Sequence, residues 1–159
     1  MSSKYCQKDF DALFLALAPK FRAAGWEARL EDPPQAYIHV SKPLWGDENM
    51  NGIHFEAYIL GKQVQDEEAL VALHCERGCP FQEKFQQIMT SRFQEEQKKS
   101  PDLWGAYAVS DHPSVVFERN LSFSAAADAE AAVAIVYAEI QKLQGLAEII
   151  DTTIAECTN

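Results

Sequence analysis

The amino-acid sequence predicts an α+β fold: a two-layer sandwich in which a mainly antiparallel sheet of about six strands carries helices on one face, in the order αββββαββα. Three observations predict it. Apolar residues recur with helical period in three separate segments, starting near Asp9, Pro80 and Ala127. Between them lie short runs of alternating apolar and polar residues, the period-two pattern of strands with one buried face. Successive runs are joined by connections too short for a helical crossover, so neighbouring strands must reverse direction. With 159 residues, 47% of them hydrophobic and 11% aromatic, the chain can bury one core, and a single domain over 1–159 is expected.

From Asp9 to Ala24, Phe10, Leu13, Phe14, Leu17 and Phe21 form one helical stripe, and Gly25 stands where a helix C-terminus favours glycine. Pro19 should kink or break this helix, because it lacks the backbone donor and its ring meets the preceding turn. Trp26–Leu30 alternates large apolar with charged residues and reads as a strand, after which Asp32-Pro33-Pro34 turns the chain. Ala36–Ser41, Gly52–Leu60 and Ala69–Glu76 are three further strands. Pro80 opens a second helix, with the stripe Phe81, Phe85, Ile88, Met89 and Phe93, which ends at Ser100-Pro101-Asp102.

Leu103–Val109 and Ser114–Phe123 read as a hairpin around Ser110-Asp111-His112-Pro113. Ala127–Glu156 is then one long helix with a heptad-like seam at Val133, Val136, Ile140, Leu143, Ala147, Ile150 and Ile154, in which Gly145 marks a bend or break. Such a stripe is expected to make core against the sheet, and its alternative use is a homodimer contact. The small acidic α+β layout is similar in outline to dimeric secretion chaperones and to some bacterial immunity proteins, by size, charge and element order and through no shared motif. Four strands before the middle helix departs from the three-strand order of the chaperones.

Charge narrows the partners. The chain carries 14 Lys+Arg against 24 Asp+Glu, a net charge of −10, which opposes binding to a phosphate backbone or an anionic membrane surface. No stretch approaches the roughly 20 apolar residues of a membrane span, and Met1–Asp9 lacks a secretory pattern, so a cytoplasmic protein without nucleic-acid or membrane partners is expected. Cys6, Cys75, Cys79 and Cys157 are spaced like reduced thiols rather than a disulfide framework.

The residues that carry chemistry are a doubled His-x-Glu: His54-Phe55-Glu56 and His74-Cys75-Glu76. Residues two apart on a strand share a face, so each triplet sets an imidazole beside a carboxylate. Sorting the strands by alternation puts Ile38, Val40, Ile53, Phe55, Ala57, Ile59, Val71, Leu73 and Cys75 on the apolar side. Opposite them, on a face expected to be wet, lie Tyr37, His39, Ser41, His54, Glu56, Tyr58, His74 and Glu76. A symmetric hairpin through Gly61–Glu68 would set His54 opposite Glu76 and Glu56 opposite His74; centring Lys42–Asn51 would set His39 beside His54 and Tyr37 beside Glu56. The loop from Lys42 to Asn51 is long for a hairpin and carries Leu44, Trp45 and Met50, the composition of a binding lip or, alternatively, of a tucked loop whose Trp45 covers the edge of the core.

Two functions follow. The favoured reading is a non-catalytic module that binds a protein or small ligand through Tyr37, His39, Trp45, His54, Glu56, Tyr58, His74 and Glu76, without a cofactor. Its alternative is a metal-dependent hydrolase, because imidazole and carboxylate are the ligands of zinc and other divalent metals. His39, His54, His74 and Glu56 would then be the ligands, with Glu76 as base or support. The stretch from His74 to Pro80 lacks the Cys-x-x-Cys pair of a zinc deaminase, and no Walker, GxGxxG, GxSxG or His-Glu-x-x-His pattern is present. Cys75 falls on the apolar side, and Cys79 stands next to a helix N-terminus, where a thiolate is favoured.

Overall fold

The computed structural model describes residues 3–159. Six helices and six strands follow one another as α1 (Gln7–Ala23), β1 (Glu27–Leu30), β2 (Tyr37–Ser41), β3 (Ile53–Tyr58), α2 (Lys62–Asp66), β4 (Glu68–Cys75), α3 (Gln82–Lys99), α4 (Pro101–Trp104), β5 (Ala108–Val109), β6 (Val115–Ser122), α5 (Ala129–Leu143) and α6 (Ala147–Thr158). The strands form one antiparallel sheet in the order β1-β2-β3-β4-β6-β5. The expected α+β architecture is therefore present. Helix α1 packs on β1 and β2, α5 on β3 and β4, and α3 on β4 and β6. Among the described residues no helix is long and apolar enough to cross a membrane.

The helical stripes make the core. Phe10, Phe14, Leu17 and Phe21 of α1, Phe85, Met89 and Phe93 of α3, and Val136, Ile140 and Leu143 of α5 are buried with the apolar strand residues Ile38, Val40, Ile53, Phe55, Val71 and Leu73. Each such side chain removed from water contributes about 1.5–3 kcal/mol before conformational entropy is set against it. Phe93 stacks on Phe117 at 3.9 Å between ring centres, which fastens α3 to β6.

Helix ends follow local chemistry. Gly25, at φ 89°, closes α1 with paired bonds from its own N–H to Arg22 and from Trp26 N–H to Phe21. Asp128 caps α5 by accepting the Ala131 N–H at 2.8 Å. Pro19 does not break α1, contrary to expectation. It lies on the exposed side of the helix, as does Leu15, so the carbonyl that it leaves without a donor can bond to water.

Of two further elements, the first breaks where the sequence pattern places a bend or break, and the second differs from it. The long C-terminal helix is divided by a 3-10 turn at Gln144–Leu146, so that Gly145 marks a true break between α5 and α6. Its seam, from Val133 to Ile150, is buried within the chain's own core, with Ile154 half-buried. The expected strand over Leu103–Val109 shrinks to Ala108–Val109, because Pro101 starts the short helix α4 instead, with Trp104 buried against Phe93.

Candidate functional site

Strand β3 lies between β2 and β4, so each polar side chain it carries has a neighbour on either side. The expected face is assembled, but in a different register. His54 faces His74 and Glu56 faces Ala72, while across the other edge His39 faces Glu56 and Tyr37 faces Tyr58. Helix α2 is the reason on one side: a helical turn centred on Val64 closes the β3–β4 connection where a loop centred later was expected. On the other, Val40 opposite Phe55 centres the β2–β3 connection between Asp47 and Glu48. Both partners shift by an even step, which keeps every side chain on its expected face. A bulge between Leu73 and His74 then turns the end of β4 against β6.

The face is not wet at its centre. His54 is 0% exposed, Glu56 2% and His39 3%, whereas Tyr37, Tyr58, His74 and Glu76 are half-buried around them. Buried ionisable groups persist only when paired, and here the pairing is dense. His74 Nδ1 lies 3.0 Å from Glu56 Oε2 and 3.1 Å from Glu76 Oε1. His54 Nε2 lies 3.4 Å from the same Glu56 oxygen and 3.7 Å from the same Glu76 oxygen. The four donor atoms all fall within 4.8 Å of one another. His39 stacks flat on His54, with ring centres 3.4 Å apart, and its Nε2 points to the Tyr37 hydroxyl at 3.3 Å. It therefore belongs to a second group, His39, Asp47 and His54, rather than to the four-donor set.

Asp47 is the residue that sequence reasoning missed. It is 1% exposed, and its carboxylate accepts His54 Nδ1 and His39 Nδ1, each at 3.0 Å, and the Gly52 N–H at 3.0 Å. The only sequence signal is an acid just after Gly46 in a connection whose flanking strands carry His39 and His54. Gly52 makes the turn tight: a Cβ there would stand 2.3 Å from the Gly46 carbonyl carbon.

Trp45 goes the other way. Of its two expected placements, a binding lip and a cover over the core edge, it takes the second: it is 2% exposed and packs edge-on against Trp26 and Phe55 on the core side, with its indole N–H given to Asp151 at 2.7 Å. Its large ring gains more from the core than from water. Neighbours two apart in this loop thus serve opposite faces of the sheet, and Leu44, 87% exposed, is what remains outside.

The electrostatics follow from burial and pairing. Burial works against a charged His54, yet its bonds to Asp47 and Glu56 raise it to about 9. Burial would likewise raise Asp47, but hydrogen bonds from His39 and His54 outweigh it and hold this carboxyl below its usual range. Glu56 is lowered in the same way, against burial, by the His54 bond and the His74 charge. His39 is lowered by burial and by the neighbouring His54, against its bond to Asp47. Burial and Glu56 push the Tyr37 and Tyr58 hydroxyls up, so both stay protonated.

One turn beyond this site, the neighbouring Cys75 pulls the Cys79 thiol down to about 7, with the Phe81 N–H assisting and burial opposing, and Cys79 together with burial pushes Cys75 up. No protein-family model, curated protein or solved structure matches this chain, so the chemistry of the site is read from its own geometry.

Proposed function

We propose that this protein is a divalent-metal-binding domain of zinc type, with His54 Nε2, His74 Nδ1, Glu56 Oε2 and Glu76 Oε1 as the ligand atoms. One observation carries the reading. A tetrahedral ion with bonds of roughly 2.0–2.1 Å holds its ligand atoms about 3.3 Å apart; of the six separations among the four atoms, the four between an imidazole and a carboxylate are 3.0, 3.1, 3.4 and 3.7 Å, and the other two are within 4.8 Å. Two imidazoles and two carboxylates suit zinc among divalent ions. The His54 ring is oriented from behind by Asp47, the usual carboxylate support of a metal-bound histidine, and Asp47 is in turn fixed by Gly52 and His39. A proton on His54 provides the positive charge between Asp47 and Glu56 that a metal ion would otherwise supply.

Ligand access is from the side of Glu76 and His74, whose side chains are 25% and 15% exposed against 3% for Glu56. The binding role expected of the polar face then takes a definite class of ligand, an anionic oxygen donor that reaches the ion. The greater exposure of Glu76 favours a second reading, the metal-dependent hydrolase: exchange of Glu76 for water leaves three protein ligands and an open position, and the displaced carboxylate can take the proton of that water.

Elemental analysis of protein purified without chelator tests the centre. Stoichiometric zinc is expected, with a rise in unfolding temperature when zinc is added to the stripped protein. Both should be lost in His54→Ala/His74→Ala, and zinc affinity should fall in Glu76→Gln, changed at the exposed edge where folding is not at stake. Absence of bound metal together with an unmoved unfolding temperature overturns the reading.

A further inference from the structure

Behind the proposed ligands runs a row of hydrogen bonds that crosses from β3 to β2. Asp47 stands within it, with His54 Nδ1 on its Oδ1 and His39 Nδ1 on its Oδ2, each at 3.0 Å, and the Tyr37 hydroxyl lies 3.3 Å from His39 Nε2. His54, Asp47 and His39 are buried, and Tyr37 is half-buried at the end of the row. Packing holds each ring in its place. Tyr37 shares the face of His39 because the two are two apart on β2, and its ring stacks on Tyr58 with centres 5.6 Å and planes 16° apart. The His39 ring lies on His54 with planes 12° apart.

The donors and acceptors of this row admit one arrangement around an ion. A carboxylate only accepts, so both Nδ1 atoms carry the protons that meet Asp47. His54 Nε2 then gives its lone pair to the ion. A second positive charge on His39, stacked on the ring that carries the ion, is opposed by like-charge repulsion, which leaves His39 neutral with a lone pair on Nε2. That nitrogen accepts, and the Tyr37 O–H is the donor it meets. We infer, on the metal reading proposed above, that Tyr37 is a positioning residue of the centre: its hydroxyl fixes the Nδ1–H tautomer of His39, which holds Asp47 against His54 Nδ1–H and so keeps the His54 Nε2 lone pair turned to the ion. Tyr37 thereby acts on the ion through three other side chains.

The test compares full-length wild type with Tyr37→Phe, which keeps the ring and its stacking and removes one oxygen, each stripped and reloaded with zinc. Zinc affinity, read by competition with a chromophoric chelator, should fall about 3–10-fold in Tyr37→Phe, less than the roughly 10–100-fold of a partner bonded directly to a metal ligand. Nitrogen-15 NMR of the histidine rings should show His39 protonated on Nδ1 alone in the zinc-loaded wild type and as a mixture of tautomers in Tyr37→Phe, a signature that loss of packing would not give. Circular dichroism establishes that the variant is folded. A His39 proton on Nε2 in the zinc-loaded wild type overturns the inference, as does wild-type zinc affinity in Tyr37→Phe. So does a fall in affinity with the tautomer unmoved, which would give the hydroxyl to Glu56, the residue opposite His39. Zinc missing from the wild type as well would instead overturn the metal reading itself.

Discussion

At the scale of single residues, the polar face is organised by Asp47 and His54, two groups buried together with opposite charges. Their titration has opposite consequences for stability. In metal-free protein His54 is raised from 6.5 to about 9, so its contribution is complete below pH 6.5 and is lost as pH rises through 9. Asp47 and Glu56 are lowered, so their contribution is present above their ordinary 3.8 and 4.5 and is lost as pH falls through their folded values. His39, lowered from 6.5, contributes above 6.5 and loses that as pH falls. Denaturant midpoints measured in chelator between pH 6 and pH 9.5 should show the wild type losing on the order of 3 kcal/mol that His54→Gln does not lose. Parallel slopes in the two proteins would refute a charged His54. Zinc should reverse the trend, because its ligands must shed their protons and its stabilisation therefore grows with pH.

Much of this was legible in the residue pattern. Alternation alone gathered Tyr37, His39, His54, Glu56, Tyr58, His74 and Glu76 on one side, because side-chain direction along a strand is a local property. Asp47 was not legible, and the pattern left Trp45 open between a lip and a cover over the core. A loop residue has no period, and which way it points depends on what the folded sheet offers it: histidines for the acid, the Trp26 and Phe55 rings for the indole.

At the scale of elements, the β2–β3 connection decides whether the site forms. Gly52 lies against the backbone of Gly46 and Asp47, at 2.3 and 2.6 Å from where a Cβ would be, and its N–H holds the Asp47 carboxylate. Gly52→Ala should push the connection outward and withdraw Asp47 from both histidines, although no proposed ligand is changed. Zinc affinity measured by competition with a chromophoric chelator should fall roughly 10–100-fold, the usual effect of losing support behind a metal ligand. Wild-type affinity in this variant would show that Asp47 does not support the site. Register belongs to this scale as well. The sequence pattern set the parity of each strand pair, while the helical turn Lys62–Asp66 set which histidine meets which carboxylate.

At the scale of the whole molecule, the C-terminal segment shows how one pattern can serve two ends. A seam spaced alternately three and four apart suits either a partner helix or the chain's own sheet. The structure puts Val136, Ile140 and Leu143 of α5 at 0% exposure across β3 and β4 and beside α1, and Ile150 at 0% exposure in α6, which packs on α3. Ile140→Ala should therefore cost about 2–4 kcal/mol in chemical unfolding while leaving the sedimentation coefficient of the native protein unchanged. A change in association state with little loss of stability would assign the seam to a partner instead.

What the sequence determined by itself is the class of fold, the three long helical segments, the first four strands and β6, and the membership of each face, since these follow from local periods of 3.6 and 2; the short helices α2 and α4 carry too few residues for a period to show. The tertiary structure alone decided that the polar face is dry at its centre, that Asp47 closes it from a loop, and that Trp45 covers the core rather than forming a lip. Those outcomes depend on which distant segments meet. Burial, pairing and charge compensation exist only once they have met.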